Sequence, residues 1–272
     1  MINNINKRFW AKKKVFITGH TGFKGSWLSI FLTYLGAEVT GYSLKPLTRP
    51  SLFNLANIKK LIKKSIIADI RDYHKLHKEI KKSNASIIFH LAAQPLVRMS
   101  YIHPKDTFDI NFSGTLNILQ IIKKINKIKT GIIITTDKVY DIKKNKIFKE
   151  TDALGGLDPY SSSKVCAEHV FTSYKNSFFK NLNLQRLATV RAGNVIGGGD
   201  YSEDRLYYHD ADTPGQKQLM HIGVYWDPGM EFEGEQWDEP FSGTGKRIIK
   251  SHVFAYELDK LKNNKDFIFL DP

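Results

Sequence analysis

Tyr160 and Lys164 stand four residues apart in Tyr160-Ser161-Ser162-Ser163-Lys164. On a helix that spacing puts both side chains on one face. An ammonium beside a phenol favours the phenolate and lowers the tyrosine pKa. A tyrosine so tuned can take the proton of a substrate hydroxyl while hydride leaves the same carbon. Thr135-Thr136-Asp137-Lys138 adds hydroxyls, a carboxylate and an ammonium, which suit acid–base work. Without the Tyr/Lys pair, that run reads as a capped loop with a local ion pair.

A second constellation handles phosphate. Gly19-His20-Thr21-Gly22-Phe23-Lys24-Gly25 follows a short apolar run and opens a helical pattern. Glycines there let the backbone approach a pyrophosphate, and the helix N-terminus faces its charge. The G-x-x-G-x-x-G spacing is a variant of the dinucleotide fingerprint. The end of the next strand, Gly41-Tyr42-Ser43-Leu44-Lys45, carries no carboxylate for a ribose. The choice between NAD and NADP therefore stays open on these residues alone. Asp69 is placed either to meet an adenine edge or to cap the following helix. His90 sits inside an apolar run and reads as a satisfied core histidine. Cys166 reads as packing, and His209, His221 and His252 show no metal-ligand spacing.

These residues need a scaffold, and the hydrophobic pattern supplies one. Strands are expected at Lys14–Thr18, Ala37–Tyr42, Ile66–Asp69, Ser86–Leu91, Gly131–Thr136 and Leu187–Arg191. Helices are expected at Ser26–Leu35, Tyr73–Lys82, Thr115–Ile125 and Tyr160–Tyr174, with Gly36 stopping the first. Strand and helix alternate, which predicts right-handed crossovers in a parallel sheet. The fold class is α/β, a Rossmann-type doubly wound parallel sheet with a short atypical C-terminal segment. In 201–245 turn signals dominate, with a strand at Ile248–Phe254 and a helix at Ala255–Lys262 beyond.

Charge divides the chain. The 272 residues carry a net +14. Residues 1–206 hold 34 basic and 15 acidic residues, whereas 207–272 hold 7 and 12. The step suggests a module boundary, with a 1–206 catalytic domain and a distinct 207–272 segment. The lysine-rich stretches 59–64, 123–129 and 143–149 lack interleaved aromatics, which argues against nucleic-acid binding. A single cysteine excludes an internal disulfide and suits a reducing, cytoplasmic setting. No apolar run approaches the roughly 18 residues of a membrane helix.

Taken together these residues resemble the extended short-chain dehydrogenase/reductase superfamily, and within it the CDP-glucose 4,6-dehydratases. The resemblance rests on Phe16 to Leu28, Pro50-Ser51-Leu52-Phe53, His90 to Arg98 and Asn111-Phe112-Ser113-Gly114-Thr115. It continues through Asp137 to Asp141, the Tyr160/Lys164 pair and Arg191 to Asp200. Sister dehydratases for other nucleotides carry a glutamate after the aspartate; here Lys138 stands there, as in the CDP-glucose enzymes. The resemblance implies an intramolecular redox dehydration of a nucleotide sugar. Tyr160, held by Lys164, would take the 4-hydroxyl proton as hydride passes from C4 to tightly held NAD. Thr136 would bond the 4-oxygen, Lys138 would assist C5 deprotonation, and Asp137 would protonate the departing 6-hydroxyl. The product would be a 4-keto-6-deoxy sugar of the kind used in O-antigen synthesis.

The resemblance also implies a cofactor set. Gly19, Thr21, Gly22, Phe23, Lys24, Gly25, Asp69, Ile70, Ala92, Ala93, Asn111, Tyr160 and Lys164 would hold NAD. Gln94, Arg98 and Asn194 would meet the substrate, no metal is implied, and a homodimer is the expected assembly. The resemblance runs from about Phe9 to Leu206, and the remaining 66 residues show none of the family's tail motifs. An incomplete grip on the nucleotide is expected there. The alternatives are another nucleotide-sugar dehydratase or epimerase, and an NAD-binding protein without turnover.

Overall fold

The computed structural model describes residues 7–141, 148–179, 185–193, 195 and 197–201. The expected boundary after Leu206, the turn signals of 202–245, the strand at 248–254 and the helix at 255–262 lie outside them. Residues up to Leu47 and from Phe53 to Gly193 form one compact unit. Thr48–Leu52 and the described residues after Gly193 belong to a second.

Six strands run β1 Lys14–Thr18, β2 Glu38–Ser43, β3 Lys64–Ile67, β4 Ile87–His90, β5 Thr130–Ile134 and β6 Arg186–Val190. They join in the order β3-β2-β1-β4-β5-β6, and every pairing is parallel. The chain leaves β1 for one neighbour and β4 for the other, so the order reverses between them. Ligands of such sheets bind outside the carboxyl ends at that reversal.

Four longer helices pack on the sheet: α1 Phe23–Tyr34, α2 Tyr73–Ser83, α3 Gly114–Lys124 and α4 Pro159–Phe178. Along β1, Val15 and Ile17 enter a core with Leu32, Val39 and Phe53. Phe16 enters the opposite core with Ile88, Leu119, Ile122 and Phe171. Both faces of β1 are thus covered, and its apolar run is nearly continuous, as a buried parallel strand requires. The alternation expected from the sequence is therefore found, and each strand and long helix expected before residue 192 has its counterpart.

Several bounds need correction: the fifth strand ends at Ile134 rather than Thr136, the first long helix starts at Phe23 rather than Ser26, and the Tyr160 helix runs on to Phe178 rather than Tyr174. The third strand ends at Ile67, where its pairing with Ser43 stops, rather than at Asp69. Asp69 lies beyond it in a tight turn, its Oδ1 accepting from the Arg71 N–H at 2.8 Å. It does not cap the next helix; Asp72 does, its Oδ1 accepting from the Lys75 N–H at 3.0 Å. The segment between β4 and α3 also holds more helix than expected. It contains Val97–Ile102, Pro104–Phe108 and a π-helical turn at Asp109–Ser113. Among the described residues no helix is long and apolar enough to cross a membrane.

Candidate active site

The glycine turn is built by close approach. Gly19 has φ +80°, and a Cβ there would lie 2.7 Å from the Ala92 nitrogen. That contact belongs to the segment leaving β4, so only glycine lets the two strand ends meet. A Cβ on Gly25 would lie 2.1 Å from the Gly19 carbonyl oxygen, so Gly25 lets α1 pack onto the turn. At Gly22 a Cβ would meet only the Gly19 oxygen, at 3.4 Å, and the residue is exposed. Gly22 also begins α1 without any side-chain cap. A helix begun in this way turns the positive end of its dipole toward the glycine turn.

Neighbouring side chains fix this turn. Thr18 Oγ1 accepts from the N–H groups of Leu91 (3.2 Å) and Ala92 (3.1 Å). It also bonds His90 Nδ1 at 2.7 Å, while His90 Nε2 reaches Thr115 at 3.2 Å. His90 is thus the satisfied core histidine expected, and burial pushes its pKa down to about 3. Thr21 bonds Ser43 Oγ and donates to the Leu44 carbonyl, both at 2.8 Å, joining the turn to the end of β2. His20 bonds Ser65 Oγ at 2.7 Å, and burial lowers its pKa to about 4. Its ring lies where a Gly41 side chain would be: a Cβ there would come within 2.3 Å of it.

Phe23 and Lys24 form the first turn of α1, both half-buried. Asp69 grips the Arg71 guanidinium, which also reaches Asp106 at 3.0 Å. That partner holds the Asp69 carboxyl below its ordinary range. Ile70 is buried against Gly114, and its carbonyl accepts from Asn117 at 3.1 Å. Ala92 and Ala93 are half-buried just past β4. Asn111, in the π turn, accepts from the Gln94 N–H at 2.8 Å and donates to Ser163 at 2.9 Å. Gln94 turns its amide onto Leu96 and Thr107. As placed, its side chain serves its own loop. Arg98 is exposed on Val97–Ile102, and Asn194 lies outside the described residues.

Tyr160 and Lys164 occupy the first two turns of α4. Pro159 starts that helix, and Asp158 caps it by accepting from the Ser161 N–H at 2.9 Å. The cap fixes where Tyr160 leaves the chain. Both side chains are buried, and Lys164 Nζ donates to the Ile134 carbonyl at the end of β5, at 3.2 Å. Thr136 and Asp137 follow that strand end directly. The Thr136 hydroxyl lies beside Tyr160 and donates to Asp137 Oδ1 at 3.1 Å. Lys138 is exposed in the short 3₁₀ helix Asp137–Val139, its N–H 3.3 Å from Thr136 Oγ1.

One electrostatic expectation is overturned. The Tyr160 phenol is pushed up to about 12, not lowered. Burial is the main cause, the nearby Thr136 side chain opposes it, and the Asp137 and Asp158 carboxylates add to the rise. Lys164 is pushed down to about 7, chiefly by burial, then by the Lys24 charge, with Glu168 opposing. Burial is the largest cause for both groups, raising the phenol and lowering the ammonium.

Sequence reasoning passed over Glu168. Its Oε1 accepts from Thr135 Oγ1 at 2.6 Å. Its Oε2 accepts from Thr189 at 3.1 Å and from Arg191 at 3.0 Å. It lies one helical turn past Lys164, and that i+4 spacing was the available signal. Among the described residues no group of three or more His, Cys, Asp or Glu could hold a metal ion.

A parallel sheet with a glycine turn at its reversal and a Tyr/Lys helix beside it defines a class. Residues 16–188 match the family model described as GDP-mannose 4,6 dehydratase, and the chain belongs to that family. Within the family it is 50% identical over 207 residues to CDP-glucose 4,6-dehydratase of Salmonella typhimurium. That match covers 74% of this chain and 57% of the relative. To dTDP-D-glucose 4,6-dehydratase of Dictyostelium discoideum it is 32% identical, covering 70% of this chain and 46% of the relative. The chain spans about half the length of the curated relatives it matches. Among solved structures it is similar to UDP-glucose 4-epimerase of Thermus thermophilus in complex with NAD. The TM-score is 0.58 at 25% identity, over 68% of this chain and 56% of that one.

Proposed function

We propose that residues 1–206 carry the cofactor-binding and catalytic part of a nucleotide-sugar 4,6-dehydratase, with CDP-glucose as substrate and NAD as cofactor. One observation carries the reading. The Thr136 hydroxyl lies beside the Tyr160 phenol and donates to the Asp137 carboxylate, at the strand end where Lys164 is anchored. The 50% identity to a CDP-glucose enzyme supports the choice of nucleotide. The glycine turn fits a dinucleotide, since Gly19 and Gly25 have no room for a Cβ while Gly22 opens outward. Gly19, Thr21, Gly22, Phe23, Lys24, Gly25, Asp69, Ile70, Ala92, Ala93, Asn111, Tyr160 and Lys164 would line its site.

NAD, when bound, supplies the hydride acceptor and donor. The rest is proton handling by this chain. Tyr160 takes the proton of the sugar 4-hydroxyl, and Thr136 holds the 4-oxygen. Lys164 supplies the positive charge that favours the phenolate. A 4-ketone acidifies C5, Lys138 assists removal of that proton, and Asp137 delivers a proton to the departing 6-hydroxyl. Atoms balance as the loss of one water.

The test is incubation of the purified chain with CDP-glucose and NAD, followed by the alkaline absorbance of a 4-keto-6-deoxy sugar. Tyr160→Phe is expected to abolish that signal, and product formed undiminished would sink the mechanism. In heavy water, dehydration should place deuterium at C5, and Lys138→Ala should lose that exchange. Cofactor binding without product would favour the reading of a dinucleotide-binding chain without turnover.

A further inference from the structure

Glu168 is almost fully buried, yet it is a carboxylate in an apolar interior. Burial of that kind demands partners. Three converge on it: Thr135 from just past β5, Thr189 within β6 and Arg191 just past β6. Arg191 lies over the Tyr140 ring at 5.0 Å and donates to the Glu150 carbonyl, so its guanidinium is itself held in place. Thr135 directly precedes Thr136 and Asp137. The carboxylate therefore ties the strand end that carries the proton-handling groups to the helix that carries Tyr160 and Lys164.

We propose that Glu168 is a positioning residue that holds the end of β5, with Thr136 and Asp137, against the helix that carries Tyr160 and Lys164. The inference rests on the dehydratase reading above. Lys164 faces its own helix through Glu168, α1 through Lys24, β4 through His90 and β5 through the Ile134 carbonyl. Of these, Lys24 and burial act to remove its proton, and Glu168 acts to retain it. His90, held neutral by burial, brings no compensating charge. Arg191 shares the carboxylate, so loss of Glu168 also leaves a guanidinium unpaired near the site.

The test measures two pH profiles on the full chain, CDP-glucose turnover and NADH binding read by its fluorescence. Glu168→Gln is expected to cut kcat about tenfold with KM nearly unchanged, since misplacement of reacting groups acts on the chemical step. The alkaline limb of both profiles should move down by about one pH unit, because Lys164 then loses its proton more easily. The double variant Glu168→Gln with Arg191→Gln removes the ion pair as a unit and guards against misfolding of the single one. It should keep the shifted limb. A purely structural ion pair would instead be rescued in the double variant, with both limbs restored, and that result overturns the proposal. Unmoved limbs in the single variant overturn it as well, as would failure of both variants to fold. A wild-type chain that binds NADH without turnover counts against the dehydratase reading, while the binding profile still decides the role of Glu168. A chain that does neither overturns both.

Discussion

Gly25 shows what one missing methyl group does. An alanine there would put Cβ 2.1 Å from the Gly19 carbonyl oxygen, which is main chain and cannot swing aside. Either α1 lifts from the turn or the turn opens. Gly25→Ala should therefore lose NADH binding, measured by fluorescence titration, and cost about 1–3 kcal/mol of stability through overpacking. Undiminished binding would show that the turn does not serve the cofactor. At this scale the sequence was informative about residue identity and less so about charge. Tyr160, Lys164, Thr136 and Asp137 were all picked out by type and spacing, and the fold brings them together. The phenol pKa came out with the wrong sign, because burial depends on neighbours from β5 and the α4 N-terminus that spacing cannot reveal. Glu168 was missed for the same reason. A glutamate four residues past a lysine looks like a surface pair until Thr135, Thr189 and Arg191 close around it.

Helix α4 delivers its two key side chains only if its first turn is fixed. Asp158→Ala removes the cap on the Ser161 N–H and should cost about 1 kcal/mol, read as a drop in thermal midpoint. Because Tyr160 sits at the second helical position, turnover should fall by more than that stability loss explains. A variant with lower stability and full turnover would place the cap outside the site's machinery. Elements with strong periodicity were legible, such as β1 with its continuous apolar run and α3 with Ile118, Leu119, Ile121 and Ile122 on the core. The third strand was set two residues late. The run Ile66-Ile67-Ala68 is apolar throughout, but the ladder ends where Ser43 ends, and that limit belongs to the partner strand. The helical turns between 97 and 113 were missed because they are short and follow Pro95 and Pro104, without a repeating apolar face.

Among the described residues two histidines are buried as neutral rings, His20 and His90. Their pKa values fall from the ordinary 6.5 to about 4 and about 3. Between pH 6.5 and those values the unfolded chain binds more protons than the folded one. Stability therefore falls as the pH drops through that window. Lys164 acts in another range. Its pKa is lowered from 10.5 to about 7, so the unfolded chain holds the extra proton between those values and stability rises with pH there. Denaturant midpoints at pH 4.5, 7 and 9 should thus increase in that order as far as these three groups govern them. His90→Gln should flatten the acid side of the curve, and an unchanged acid slope in that variant would remove His90 from the account.

The His20 ring occupies the space that Gly41 leaves empty, where a Cβ would come within 2.3 Å of it. The two positions therefore cannot drift independently over generations. A side chain at position 41 would evict the imidazole from its bond to Ser65, and a small residue at position 20 would leave a void beside β2. Relatives should carry glycine at 41 wherever they carry histidine at 20, and lose both together. Position 20 is thus an inherited marker of the strand geometry two elements away. It can be read across lineages without solving another structure, and a lineage pairing His20 with a branched residue at 41 would break the rule.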